Sequence, residues 1–127
     1  MNVVDSSAWL EYFADGPNAR RFSTPLRQTR DLLVPSICLT EVFKGISRQA
    51  GDAAALQAMA LMQQGVVVEL DRHLAVFAAR LGLAHRLPLA DSVVLATARA
   101  FGAVVWTQDA DFKGLEGVRY FPAAPRP

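Results

Sequence analysis

The sequence predicts an α/β fold: a short parallel β-sheet covered by helices on both faces. Short apolar runs alternate with longer helix-like segments from end to end, and each run is only a few residues of mostly valine or leucine. No linker and no internal repeat divides the 127 residues. Runs this short and this apolar suit strands buried on both faces, the habit of parallel sheets with helical, right-handed crossovers. One domain over residues 1–121 is therefore expected, followed by a tail at 122–127.

Asn2-Val3-Val4 reads as the first strand, ending at Asp5. Ser6 and Ser7 offer caps to a helix through Phe13, in which Trp9, Leu10, Tyr12 and Phe13 recur at near-helical spacing. Asp15-Gly16-Pro17 breaks it, and a second helix is expected over Asn18–Gln28. The strand Leu32–Val34 stops at Pro35, and Ser36 caps a third helix, Ile37–Arg48, with Glu41 near its start. Gly51-Asp52 opens an alanine-rich fourth helix to Gln64, and Gly65 ends it before the strand Val66–Val68. Asp71 caps a fifth helix that runs through His85.

The stretch Leu89–Phe112 is the densest in signals. Asp91 and Ser92 stand where N-cap residues belong, after Pro88 and before an apolar run. Gly102 sits at the position of a left-handed helix stop. Val104-Val105-Trp106 then reads as a buried strand leading to Thr107, Asp109 and Asp111, and Val118–Phe121 as a last strand.

Composition narrows the function classes. Apolar residues make up 52% of the chain, so it should fold, yet no run is long enough to span a membrane. The start, Met-Asn-Val-Val-Asp, lacks a signal-peptide pattern, and the one cysteine, Cys38, has no disulfide partner. Both favour a cytoplasmic setting, with Cys38 as a small core residue. Net charge is only +1, although eleven of the thirteen cations are arginines, which suit phosphate recognition. Arg20, Arg21, Arg48, Arg86 and Arg99 are available to flank a nucleic-acid groove.

Asp5 and Asp109 follow strands, Asp91 opens a helix, and Glu41 lies early in one, among Leu39, Val42 and Phe43. Taken singly, each has an ordinary explanation as a cap, a turn or a solvated helix residue. In a parallel sheet, strand ends and helix starts converge on one edge, where α/β folds bind ligands. Carboxylates gathered there raise one another's pKa unless a cation joins them, and oxygen-only ligands suit Mg²⁺ or Mn²⁺. His73 and His85 have no cysteine partner at zinc spacing.

The motifs Val3-Val4-Asp5-Ser6-Ser7, Pro35-Ser36 with Leu39-Thr40-Glu41-Val42, Leu89-Ala90-Asp91-Ser92 and Thr107-Gln108-Asp109-Ala110-Asp111-Phe112 occur in that order along nearly the whole chain. Together they resemble the PIN-domain ribonucleases, and among them the VapC-type toxins of toxin–antitoxin pairs. The resemblance implies a Mg²⁺- or Mn²⁺-dependent endoribonuclease with Asp5, Glu41, Asp91 and Asp109 as the acidic site. Asp5 and Asp91 are the best candidates for direct metal ligands. Ser7 and Thr107 look like the family's supporting hydroxyls, and Asp111 is read as the cap of a short following helix.

The same resemblance implies an RNA substrate, a homodimer and a small antitoxin that lays an amphipathic helix into a groove. Trp9, Leu10, Tyr12, Phe13 and the pair Val42–Phe43 exceed what a one-sided helix needs for its core. Some belong to the core, and the others are the candidates for that groove, with Trp9, Tyr12, Phe13, Val42 and Phe43 foremost. Two other classes compete: a PIN-like binding module with little catalysis, and another aspartate-dependent phosphoryl enzyme. A phosphatase of the haloacid dehalogenase type wants Asp-x-Asp after the first strand, where this chain has Asp5-Ser6-Ser7. A receiver domain wants paired acids there and a late lysine, for which Lys113 is a poor match.

Overall fold

The computed structural model describes residues 1–125; the last two residues of the expected tail lie outside them. Five strands form one parallel sheet in the order β3-β2-β1-β4-β5. They are β1 (Asn2–Val4), β2 (Leu32–Pro35), β3 (Val66–Val68), β4 (Val104–Thr107) and β5 (Val118–Tyr120). Six helices flank them: α1 (Ser6–Phe13), α2 (Ala19–Leu26), α3 (Ser36–Ala50), α4 (Asp52–Met62), α5 (Arg72–His85) and α6 (Leu89–Ala100).

Successive residues of a strand point to opposite faces. In β1, β2 and β4 both sets are buried: Val3, Val4, Val34 and Val105 are fully inaccessible, as the unbroken apolar runs require. The edge strand β3 lies open, with Val66 half exposed. Pro35 has no N–H to give a ladder, and it stands at the last paired position of β2, opposite Val68.

The order of the strands matters more than their number. From β1 the chain builds outward through β2 to β3, then returns to lay β4 on the other side of β1. The register pairs Val4 with Trp106, so β1 and β4 end side by side. This reversal is a topological switch point, where the loops leaving adjacent strands part and open a crevice. Asp5 leaves β1 there and Asp109 follows β4.

Several helix starts differ from the sequence expectation. Ser6 and Ser7 lie inside the first turn of α1, and Asp5 is its N-cap, accepting from the Ala8 N–H at 3.2 Å. Ser36 is likewise the first residue of α3 and not its cap. α2 is shorter than Asn18–Gln28, giving way to a 3-10 turn at Thr29–Asp31, and α4 ends at Met62 instead of Gln64. Asp71 does cap α5, accepting from the Leu74 N–H at 2.8 Å.

The largest difference concerns α6, which starts at Leu89 with Pro88 before it. Proline's fixed φ suits a helix entry. Asp91 and Ser92 therefore sit within the helix, and Ser92 Oγ donates to the Pro88 carbonyl at 2.9 Å. At the other end Gly102 has φ +64°, and the Ala103 N–H reaches the Ala98 carbonyl at 2.8 Å. That bond and the left-handed glycine make a Schellman stop, as the sequence predicts.

Candidate metal centre

Asp5, Asp91 and Asp109 each present a carboxylate oxygen within 4.8 Å of the others. They arrive from the two strands that flank the switch point and from the first turn of α6. Asp5 is buried, 3% exposed, and held on several sides. Ser7 Oγ donates to both of its oxygens, at 2.9 and 3.1 Å, and the Thr107 hydroxyl also stabilises its charge. Thr107 is fully buried, and its Oγ1 accepts the Asp109 N–H at 2.9 Å. One hydroxyl thus ties the loop after β4 to the carboxylate after β1.

The 3-10 turn Ala110–Phe112 explains the position of Asp109. Asp109 caps it, accepting from the Asp111 N–H at 2.9 Å, so Asp111 lies within the turn and is not its cap. Phe112 points the other way and is fully buried, pinning the turn to the core. Phe112→Ala should lower the unfolding free energy by about 3–5 kcal/mol, read from the urea midpoint. A loss below about 1 kcal/mol would mean that the turn is not anchored through this ring.

The electrostatics are unfavourable to three bare carboxylates. Burial raises the Asp5 carboxyl to about 7, against the hydrogen bonds that favour its charge. Asp91 is raised to about 8, first by burial and then by the negative charges of Asp109 and Asp5. Such a site holds protons at neutral pH, or holds a cation in their place. Beneath it lies Cys38, fully buried, whose thiol burial pushes far up and keeps protonated. An all-oxygen set this tight fits a hard divalent cation such as Mg²⁺ or Mn²⁺.

A family model described as "PIN domain" matches residues 3–118. The chain belongs to the PIN domain family. Solved structures share its fold at low identity. One is a toxin–antitoxin complex from Klebsiella pneumoniae, 22% identical, covering 94% of this chain and 96% of that one, with a TM-score of 0.76. Mycobacterium tuberculosis VapC20, titled a sarcin–ricin loop cleaving toxin, is 19% identical over 93% of this chain and 97% of that one, TM-score 0.78. DNA-bound VapBC from Salmonella typhimurium is 19% identical over 95% and 96%, TM-score 0.70. No curated protein matches the chain by sequence.

Within this PIN domain Glu41 stands apart from the other acids. It is exposed, lies outside the group of three, and accepts from Ser6 Oγ at 2.7 Å. The residues named for a partner groove also divide. Trp9 and Val42 belong to the core, at 2% and 0% exposure. Tyr12 and Phe43 are half-buried, while Phe13, with Leu10 of the same helix, lines an open groove of about 720 Å³ between α1, α3 and α4. Its apolar walls include Leu10, Ile46 and Leu61, and Ser7 and Gln108 bring one end of it to the acids.

Two of the arginines named as groove flanks have local duties. Arg21 stacks over the Phe121 ring at 5.0 Å, and Arg99 donates to the Glu116 carbonyl at 3.4 Å. Sequence reasoning missed Asn18, whose amide donates to Gln108 Oε1 at 3.1 Å and to the Pro122 carbonyl at 3.0 Å. That contact steadies the residue beside Asp109 across 90 positions, and nothing local to Asn18 signals it.

Proposed function

We propose that this PIN domain is a divalent-metal-dependent endoribonuclease, acting as the toxin of a toxin–antitoxin pair. The observation that carries the reading is the convergence of Asp5, Asp91 and Asp109 within 4.8 Å at the switch point. A bound Mg²⁺ or Mn²⁺ would supply positive charge to the phosphoryl oxygens and make water easier to deprotonate. The three aspartates would hold it, Asp5 kept in place by Ser7 and Thr107. Glu41, fixed by Ser6 at the exposed rim, orients a water. The oxygen of that water would bond to phosphorus in line as the P–O bond to the leaving nucleotide breaks, the attacking water losing its proton to solvent and the leaving oxygen taking one up from solvent. No histidine base takes part, in keeping with the exposed positions of His73 and His85.

The groove ending at Ser7 and Gln108 suits an amphipathic helix of a small antitoxin, its apolar face against Leu10, Phe13 and Ile46. A basic side chain at the end of that helix would enter among the carboxylates, so inhibition is both steric and electrostatic. The VapBC and VapC20 likenesses support the partner and the RNA substrate, and the homodimer belongs to the same proposal. No helix of the described residues is long and apolar enough to cross a membrane.

The purified chain, freed of inhibitor, should cleave looped or single-stranded RNA with Mg²⁺ or Mn²⁺ and stop in excess chelator. Undiminished cleavage in chelator would remove the metal mechanism. Absence of cleavage under all metals, with a stable antitoxin complex, would favour the binding-module alternative.

A further inference from the structure

Helix α5 concentrates cations on a chain that is nearly neutral overall, at +1. Between Arg72 and His85 it contains no acid, while Arg72, His73, Arg80 and His85 are all exposed, as is Arg86 just beyond it. Asp71, immediately before, is committed to the helix cap through Leu74, and Glu69 lies on the preceding loop. At 3.6 residues per turn, Arg72, Val76, Arg80 and Leu83 follow one line along the helix, opposite the buried Leu74, Ala78 and Leu81. Val76 is 58% exposed and Leu83 84%. A shallow cavity of about 510 Å³ opens along this line, lined by Arg72, His73, Val76, Phe77 and Arg80.

The line leads toward the acids. Gly82 lets α5 press against α6 at Ser92, the residue after Asp91; a Cβ on Gly82 would meet Ser92 Oγ at 2.5 Å. Arg86 then turns the chain in a left-handed conformation, φ 56°, and Leu87-Pro88 lead into the helix that carries Asp91. Arginines spaced about 12 Å apart along a helix, with apolar and aromatic surface between them, match a strand of phosphates whose bases are unstacked.

We propose that this face of α5 is a docking track for single-stranded RNA, with Arg72 and Arg80 on phosphates and Val76 and Phe77 against bases. It rests on the nuclease reading above and adds the path by which the strand reaches the metal centre. A second copy of the chain is the competing occupant. A two-fold interface sets a patch against itself, and here it would set arginine against arginine with no acid on the helix to intervene. Charge complementarity therefore favours a polyanion.

The test compares wild type, Arg72→Ala/Arg80→Ala, and Arg27→Ala/Arg30→Ala. The last removes the same charge near the start of β2, at the sheet edge away from the acids. Fluorescence anisotropy with a labelled 30-nucleotide RNA gives affinity across a salt series, and cleavage of that RNA and of a four-nucleotide RNA gives KM. The α5 variant should raise the ratio of long- to short-RNA KM about tenfold and lower the salt slope of binding by about 1.4, as expected for two lost phosphate contacts on a single strand. The Arg27→Ala/Arg30→Ala control should bind and cleave as wild type does. Arg72→Lys/Arg80→Lys should restore most of the slope. Unchanged affinity and slope in the α5 variant would overturn the track. So would a change in the mass of the assembly, which would make the face a self-interface. If wild type binds RNA through α5 but cleaves none, the track stands and the nuclease reading fails.

Discussion

Asp91→Asn should lower metal-dependent RNA cleavage by a hundredfold or more while leaving the fold intact. The size follows from the place of the side chain. Changes in the shell around metal ligands already cost about 10–100-fold, and Asp91 supplies one of the three oxygens that define the centre. The intact fold follows from the start of α6. Had Asp91 been the helix cap, asparagine would have been a near-neutral exchange for local reasons and alanine a destabilising one. It lies within the first turn instead, with Pro88 at the entry, and its carboxylate faces Asp109 and Asp5. Glu41→Gln should act less severely, by roughly tenfold, because Glu41 meets Ser6 at the rim and stands outside the group. Single-turnover rates, with circular dichroism to verify folding, separate the two. An Asp91→Asn chain that cleaves at near the wild-type rate would place the chemistry elsewhere.

The strands and the fold class were legible because parallel strands buried on both faces must be short, apolar and separated by helices. Helix stops were legible where one residue type is nearly obligatory: Gly102 takes φ +64°. Helix starts were less so. Serine, threonine and aspartate are interchangeable as caps, so Asp5-Ser6-Ser7 and Asp91-Ser92 each offer several starts. The structure chose Asp5 in one case and Pro88 in the other. The acids were found by their position at strand ends and helix starts, together with the family resemblance. What neither provides is the distance between side chains. Glu41 sits at the right place in sequence yet outside the tight group, its carboxylate taken by the Ser6 hydroxyl. The partner surface was hardest to see, since Trp9 and Val42 look the same in sequence whether they line a groove or fill the core. They fill the core. The groove beside them takes Leu10 and Phe13 from the helix read as apolar and aromatic, but its other walls, Ile46 and Leu61, stand in helices whose sequence does not set them apart from core positions.

The candidate metal centre should also make stability depend on pH and cation together. In the metal-free protein Asp5 titrates near 7 and Asp91 near 8, both above the unfolded reference of about 3.9. A raised carboxyl means that the folded chain holds protons which the unfolded chain releases. The resulting stabilisation is complete below pH about 4 and is lost as pH rises through 7 to 8. Metal-free wild type should therefore melt at progressively lower temperature from pH 5 to pH 8. Asp91→Asn removes the titrating group and a negative charge beside Asp109 and Asp5, and sacrifices no cap. At pH 8 without metal it should melt at or above wild type. Asp5→Asn should behave similarly, because asparagine also caps helices and the Ala8 N–H keeps an acceptor. Added Mg²⁺ should bind the folded site alone and stabilise it by about 2.7 kcal/mol at a hundred times its Kd, on the order of 10 °C for a domain of this size. Because protons compete for the same oxygens, the gain should grow from pH 5 to pH 8 in wild type and nearly vanish in both variants. Melts of the three chains at pH 5, 6.5 and 8, with chelator and with millimolar Mg²⁺, measure every part of this. A wild type whose melting temperature is flat across that range, or variants that gain as much from Mg²⁺ as wild type does, would mean that these aspartates serve the fold and that the cation binds elsewhere.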